Sequence, residues 1–347
     1  MADLSDEHDL INTSVKIAIE KLNRSSDSNN IEIQAQIFQY EKDHISVIPA
    51  IQEALKSNVI GLIGASPSHV ALLAAKEIAG KGIVLIPPTA SANSLALDFP
   101  SVLMMNGRAD TGALVTGVIL DSMLKVKKFL APVSWERTVA RNSWEGLPEN
   151  IRNKGELLKL YEPKLDLVNF RKKLLSEKYD AIYSPNFPGI TAQLIQAASI
   201  DGHRIPFVGN AAWGENTGGS FHQLTKGLTF RGIFARQFSI WEPSRELKKF
   251  RDLIESRTKD PFSSTAVLYY DATLFLGKEI RKCGSKCTRQ QLMNSLSKDP
   301  NHIGIFGEYI FDKRGSNGID ASFNILEVDG SGFKYIKQIK LNSATKP

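Results

Sequence analysis

The chain has 347 residues, of which 42% are hydrophobic and 23% are charged, and its formal net charge is +6 at pH 7. This is the composition of an ordinary globular protein, and the length favours about two domains. No apolar run reaches the roughly 18 residues that a membrane-spanning helix needs, and the basic residues lack the interleaved aromatic residues of a nucleic-acid-binding surface.

The first part of the chain alternates between helical and strand patterns. Residues 7–23 place their apolar side chains largely on one helical face, and residues 31–38 (IEIQAQIF) alternate with period two, which is typical of a strand. The following segments predict, in chain order, helix 45–56, strand 59–64, a helix from 68 that ends at glycine, strand 83–88, strand 102–105 and helix 109–126.

The same rhythm then begins again and predicts strand 128–133, helix 136–153, strand 157–161, helix 166–177, strand 181–185, helix 189–200 and strand 206–210. Helical patterns return at 243–258, 263–282 and 288–297, and the C-terminal region predicts strands separated by RGSNG and DGSG turns. Two successive βαβ arrays indicate an α/β protein in which each array forms a parallel sheet covered by helices.

Small hydroxyl residues follow two strands of the first array. Ligands of open parallel sheets bind beyond the carboxyl ends of the strands, near helix N-termini. The loop GASPSHV offers Ser66 and Ser68, and the loop TASANS offers further hydroxyl groups. An ordinary helix cap explains each serine about as well as a binding role does.

Aromatic residues follow three strands of the second array. They are Trp135 in SWERT, Phe187 in NFPG and Trp213 in the stretch FVGNAAWGE. Local packing explains any one of them, but their coincidence with the hydroxyl loops predicts a small-molecule site with a polar wall and an aromatic wall.

The sequence carries no common catalytic signature: GxSxG, Walker A, GxGxxG and HExxH motifs are absent, and the six histidines are dispersed. We therefore expect neither an enzyme nor a cofactor. Cys283 and Cys287 in RKCGSKC have no nearby histidine or second cysteine pair, so a metal site is not expected. They form either a short-range disulfide, in an oxidising compartment, or two unpaired thiols.

The order of these segments resembles the class I periplasmic binding proteins, the extracellular solute-binding proteins of the branched-chain amino-acid type. The same fold serves as the ligand-binding region of several receptors. The resemblance covers nearly the whole chain and depends on the order of VIGLIGASPSHVALLAAKEIAGKGIVLIPPTASANSL, SWERTVARNSWEGL, YDAIYSPNFPG, PFVGNAAW, GIFARQF, YYDATLFLGKEIRKCG and GEYIFDKRG.

The resemblance implies two lobes, each a doubly wound parallel sheet with flanking helices, joined by three crossovers and closing on a ligand by hinge bending. It places lobe 1 at 1–107 and about 237–311, and lobe 2 at 108–236 and 312–347. It also implies ligand contacts at Ser68, Ala90, Ser91, Trp135, Phe187, Asn210, Ala211 and Trp213.

One departure from the family concerns the ligand. Relatives commonly carry an acidic residue in the turn before the tryptophan, where it pairs with the ligand ammonium, but Ala211 stands there in this sequence. A buried ammonium without a partner costs several kcal/mol. We therefore expect a ligand that carries a carboxylate or an amide, or an aromatic compound without the amine, rather than a standard amino acid.

The resemblance further implies delivery of the ligand to the permease of an ABC importer; the alternative is a sensory or regulatory module that acts on a partner without transport. It implies a periplasmic or extracellular location, although MADLSDEHDL is not a secretory signal. In the family a signal peptide and a strand precede the opening helix. We expect that this chain is a fragment or has a misplaced start, or that its N-terminal region has rearranged. The open sheet edges expected in lobe 1 predict low stability.

Overall fold

The computed structural model describes residues 8–25, 31–40, 44–200, 202, 204–214, 221–296, 302–311 and 322–340. By their internal contacts the described residues divide into two units. The first unit lies within Asp3–Arg108 and Pro243–Gly318, and the second lies within Ala109–Glu242 and after Ile319. The chain therefore passes between the units three times. That these units act as two hinged lobes stays a prediction.

The described α-helices are α1 (His8–Arg24), α2 (Val47–Lys56), α3 (Ser68–Ile78), α4 (Asn93–Asp98), α5 (Ala109–Val118), α6 (Thr138–Glu145), α7 (Glu149–Arg152), α8 (Leu167–Ser176), α9 (Pro188–Ile200), α10 (Phe221–Leu224), α11 (Arg245–Glu255), α12 (Ser264–Cys283) and α13 (Arg289–Leu296). Short 3₁₀ turns occupy His44–Ser46 and Ala211–Gly214, and a π-helical turn, Ile119–Met123, continues α5. The strands are β1 (Gly61–Ile63), β2 (Val84–Ile86), β3 (Phe129–Ser134), β4 (Gly155–Leu160), β5 (Ala181–Ser184), β6 (Phe207–Gly209), β7 (Gly232–Arg236), β8 (His302–Gly304), β9 (Gly307–Tyr309), β10 (Ser322–Asp329) and β11 (Gly332–Lys340).

The first unit has a small sheet among many helices. Strands β1 and β2 pair in parallel, and Leu85 of β2 forms a bridge with Val102 on its other side. Helix α12 packs along α1 at a close approach, because a Cβ added at Gly277 would lie 2.3 Å from Leu22 Cδ1. Helices α2 and α3 pack against β1 and β2 in one apolar cluster. In the described residues the small sheet therefore packs against helices α2 and α3.

A buried carboxylate fastens the β8–β9 hairpin to α12. Asp271 has no exposed surface and accepts hydrogen bonds from Tyr309 Oη at 2.7 Å and from the Ile305 backbone N–H at 3.0 Å. Burial raises the pKa of Asp271 to about 6, against the lowering effect of those hydrogen bonds. His302 of the same hairpin lies between the rings of Phe275 and Tyr309, and burial together with nearby lysines lowers its pKa to about 4.

A single arginine closes the C-terminal end of α2. Arg289, in the first turn of α13, donates from Nε to the Val59 carbonyl at 2.8 Å, from Nη1 to that of Leu55 at 3.2 Å and from Nη2 to that of Ser57 at 2.8 Å. The Leu55 carbonyl is one that the end of α2 leaves without an intrahelical partner, while Ser57 and Val59 belong to the cap and the segment after it. A disulfide joins Cys283, the last residue of α12, to Cys287 in the segment before α13.

The second unit is built on a seven-stranded sheet in the order β11-β10-β7-β6-β5-β3-β4. Strands β3 to β7 are parallel, and β10 and β11 join antiparallel at one side. Every residue of β3 is buried, because α5 and α6 cover one face and α8 and α9 cover the other. The loops that follow β3, β5 and β6 therefore emerge at one edge of the sheet.

Three local predictions were wrong, and two short helices were not predicted. Residues 31–40 form no strand. Instead, the Asn23 side chain accepts a hydrogen bond from the Ile33 N–H at 3.0 Å and donates one to the Ile33 carbonyl at 2.9 Å. The predicted strand 102–105 is reduced to isolated bridge residues at Val102 and Met104, the first of which pairs with Leu85. The predicted helix 136–153 is two helices separated around Gly146, and neither α4 nor α10 had been predicted.

Candidate functional site

Two hydroxyl loops meet in the first unit because β1 and β2 are parallel neighbours. The Ser91 backbone N–H donates to Ser68 Oγ at 3.0 Å, and the hydroxyls of Ser66 and Thr89 are hydrogen-bonded. The structure thus brings together Ser68 and Ser91, two of the predicted contacts. The third, Ala90, lies between Thr89 and Ser91 with its side chain buried.

Side chains from outside these loops hold them in place. Tyr40 Oη donates to the Ser66 carbonyl at 2.9 Å, and Asn106 Nδ2 donates to the Thr89 carbonyl at 3.2 Å. Burial raises the pKa of Tyr40, so it remains a neutral donor. Neither residue was predicted from the sequence, and no local motif marks either of them.

The hydroxyl loops present neutral donors at a helix start. Ser68 is partly exposed in the first turn of α3, and after accepting from Ser91 it still has its own O–H to donate. A helix N-terminus favours negative charge through its free N–H groups and its dipole. This surface is therefore suited to a carboxylate or amide oxygen.

Two predicted aromatic residues of the second unit are partly exposed and lie beside cations. The Nζ of Lys159 is 4.2 Å from the ring centroid of Trp135, and the Arg137 guanidinium is 6.0 Å from that of Phe187. Arg137 donates to Glu162 at 2.8 and 2.5 Å, a contact that raises the pKa of Arg137 and lowers that of Glu162. Arg137 is therefore already paired with a carboxylate.

The expectation that Trp213 forms an exposed aromatic wall is not met. Its side chain has no exposed surface; it stacks on Phe221 with ring centroids 4.6 Å apart and lies 5.9 Å from the Phe234 ring. A Cβ added at Gly209 would lie 2.1 Å from its Cε2. The ring points back under the sheet into the apolar core, which the position of a tryptophan in a turn does not reveal.

The turn that holds Asn210 and Ala211 is uncharged. Asn210 Nδ2 donates to the Pro185 carbonyl at 2.7 Å, and its Oδ1 accepts from the Ala212 N–H at 3.0 Å. Ala211 and Ala212 are partly exposed, so the surface of this turn consists of methyl groups and backbone. Between Asn210 and Gly214 no side chain could pair with an ammonium group.

Two buried polar residues near this edge were missed by sequence reasoning. Asn186 follows β5 and bonds to the end of β3, and an asparagine directly after a predicted strand was the available signal. Arg236 ends β7 and donates to the Gly214 carbonyl at 2.7 Å, and burial lowers its pKa to about 9. Both hold backbone of the loops at the carboxyl ends of the strands. In the described residues, no cluster of histidine, cysteine and acidic side chains is placed to hold a metal ion.

Each of the two α/β units carries loops at the carboxyl ends of parallel strands, which is the edge at which open α/β sheets bind ligands. Residues 10–333 match the family of periplasmic binding proteins, and the chain belongs to that family. The family and the fold class predicted from the sequence are thereby confirmed. No curated protein matches the chain.

Solved structures share the fold at low sequence identity. The leucine-binding protein LivK of Thermotoga maritima is 15% identical with a TM-score of 0.81, over 98% of this chain and 96% of that one. LivJ of Streptococcus pneumoniae, solved with isoleucine, is 15% identical with a TM-score of 0.80, over 98% and 96%. A solute-binding protein of an ABC transporter from R. palustris, solved with benzoate, is 16% identical with a TM-score of 0.77, over 98% and 94%. Among the described helices, none is both long and apolar enough to cross a bilayer.

Proposed function

We propose that this protein is a periplasmic or extracellular solute-binding protein that captures a small organic ligand bearing a carboxylate or amide for an ABC importer. Membership of the periplasmic binding protein family supports the solute-binding role. The observation that carries the proposal is the contact between Ser68 and Ser91, which gathers neutral donors at the start of α3. Trp135 and Phe187 of the second unit supply the aromatic contacts.

The ligand class follows from the uncharged turn. Ala211 offers only a methyl group, and the Asn210 carboxamide is engaged by Pro185 and Ala212. An α-amino acid would have to bury its ammonium group there without a counter-charge, at a cost of several kcal/mol. Carboxylates without an amine, of which benzoate is a convenient probe, avoid that cost.

A ligand screen tests the proposal. Thermal shift with benzoate, hydroxybenzoates, short amides, peptides and amino acids identifies candidates, because a ligand at 100 times its Kd adds about 2.7 kcal/mol to stability. We expect calorimetry to give binding by acids or amides that is weakened in both Ser68→Ala and Trp135→Ala. Micromolar binding of leucine or glutamate that both substitutions abolish would contradict the ligand class. Adjacent genes for a permease and an ATPase support delivery to an importer, whereas a kinase or chemoreceptor gene supports sensing.

A further inference from the structure

We infer that Asn186 and Asn210 act together to fix the position of Phe187, so that the aromatic contact of the second unit is set before a ligand arrives. We call these two residues the asparagine clamp. The inference depends on the proposed function in one respect, namely that Phe187 contacts the ligand. The clamp itself follows from hydrogen bonds within the second unit.

Asn186 attaches the loop to the strand on one side. Only 1% of its surface is exposed. Its Oδ1 accepts from the Ser134 N–H at 2.8 Å, and its Nδ2 donates to the Pro132 carbonyl at 2.7 Å and to Ser184 Oγ at 2.9 Å. One planar carboxamide thus accepts one hydrogen bond and donates two. Neither Asp nor Leu, which are of similar size, can make this combination of bonds.

Asn210 attaches the same loop to the strand on the other side. Its Nδ2 donates to the Pro185 carbonyl at 2.7 Å, immediately before Asn186, while its Oδ1 accepts from the Ala212 N–H at 3.0 Å. Strand β5 lies between β3 and β6 in the sheet. The loop after β5 is therefore held from both neighbouring strands.

The chain after Phe187 is fixed as well. Its carbonyl accepts from the N–H groups of Ile190 and Thr191, both at 3.2 Å, as α9 begins. The hydroxyls of Thr191 and Ser184 are 2.8 Å apart. Phe187 is partly exposed between a buried Asn186 and a buried Pro188, so its backbone is anchored on both sides.

This anchoring has a consequence for binding. A loop that is already ordered does not spend binding free energy on its own ordering, and an aromatic side chain with two rotatable bonds adds little more to that cost. Removing the clamp leaves the ring chemically intact but lets its loop sample other positions. The two asparagines are thus positioning residues, whose effect on affinity passes through Phe187.

A direct test follows the ring itself. Trifluoromethylphenylalanine is placed at position 187 of the full chain and observed by ¹⁹F NMR without ligand. We expect one narrow resonance in the parent, and a broadened or divided resonance in Asn210→Ala and in Asn186→Ala. If Asn186→Ala does not fold, Asn210→Ala decides, since Asn210 is partly exposed.

Asn324→Ala is the matched control. Asn324 is a fully buried asparagine of β10 in the same unit, where its Nδ2 donates to the Gln237 carbonyl at 3.3 Å and to Glu242 Oε2 at 3.1 Å. We expect a lower Tm with an unchanged resonance at position 187. An unchanged resonance in Asn210→Ala, or equal broadening in Asn324→Ala, would overturn the clamp.

Calorimetry with benzoate separates the clamp from the proposed function. Asn210→Ala is expected to weaken benzoate binding about tenfold, which corresponds to about 1.4 kcal/mol, and to have no further effect in a Phe187→Ala background. Equal losses in both backgrounds contradict action through Phe187. If benzoate does not bind the parent, that result counts against the proposed ligand class. The NMR result still decides whether the asparagine clamp holds Phe187.

Discussion

The two units organise their loops in different ways. In the second unit, strands β3, β5 and β6 each have a neighbouring strand on both sides of the sheet. The Asn186 and Asn210 carboxamides tie the loop after β5 to the neighbouring strand on each side. In the described part of the first unit the parallel sheet has just two strands, β1 and β2, and the loops after them are held by contacts with each other and with Tyr40. A broad sheet supplies fixed anchors for its loops, whereas a narrow one leaves the loops to position one another.

The largest expected effect tests the core of the second unit. Trp213→Ala removes a fully buried ring stacked on Phe221, so we expect the free energy of unfolding to fall by about 3–5 kcal/mol. Chemical denaturation measures it, with the partly exposed Trp135→Ala as the control that loses much less. If the Trp213→Ala protein had parental stability but did not bind ligand, Trp213 would be a ligand contact rather than a core residue.

The next effect tests the core of the first unit through pH. The pKa of His302 is about 4 in the folded protein against an ordinary 6.5, so its contribution to stability is present above 6.5 and is lost as the pH falls toward 4. The pKa of Asp271 is about 6 against 3.8, so its contribution is present below 3.8 and is lost as the pH rises through 6. The two oppose each other between about pH 4 and 6.

His302→Phe keeps the ring contacts with Phe275 and Tyr309 but removes the titration. We expect it to lose less stability than the parent on acidification from pH 7 to 4, by up to about 3 kcal/mol. Asp271→Asn is expected to make the loss on acidification steeper. Denaturant titrations at several pH values give both slopes, and parallel curves for the parent and His302→Phe would show that this histidine does not titrate as a buried group.

A smaller effect concerns ligand choice at the second unit. Ala211→Asp places a carboxylate on the partly exposed turn, and we expect leucine to bind about 30-fold more tightly than to the parent, a gain of about 2 kcal/mol. Ala211→Asn, which has a similar shape and no charge, is the control. Calorimetry that shows no difference between the two variants would mean that the turn does not face the ligand amine.

The smallest effect concerns the first unit. Ser68→Ala removes the acceptor for the Ser91 N–H and is expected to lower stability by about 1 kcal/mol, while Ser68→Thr keeps it. Ser91→Ala retains the backbone donor and serves as the control for this bond. Thermal unfolding compares the three, and a loss in Ser91→Ala equal to that in Ser68→Ala would show that the loops do not depend on this contact.

Prediction from the sequence succeeds for helices and strands whose own residue pattern determines them. It fails where contact with another segment of the chain determines the structure. Helices such as α11 follow from their apolar periodicity, and the buried strands β3 and β5 follow from short apolar runs between turn residues. Residues 31–38 have an equally clear alternation, but a strand needs a neighbouring strand, and Ile33 bonds to Asn23 instead. The break of the predicted helix 136–153 had a visible signal in Gly146 and Pro148 that its apolar pattern concealed.

In the candidate site, the positions of the loops were predictable from the sequence, whereas the directions of the side chains were not. The proximity of Ser68 and Ser91 follows from the rule that parallel strands end at one edge, and it is found in the structure. The direction of a side chain does not follow from that rule. Trp213 turns into the core, and Asn186, without a motif of its own, holds the Phe187 loop.

Arg289 has a consequence for how the chain is made. It binds the carbonyls of residues 55, 57 and 59 from a position more than two hundred residues later, so this corner of the first unit cannot be completed until residue 289 has been synthesised. Strands β10 and β11 impose the same delay on the second unit. Each unit therefore needs residues beyond 280 to complete its contacts, and contacts this distant in sequence are expected to make folding slow.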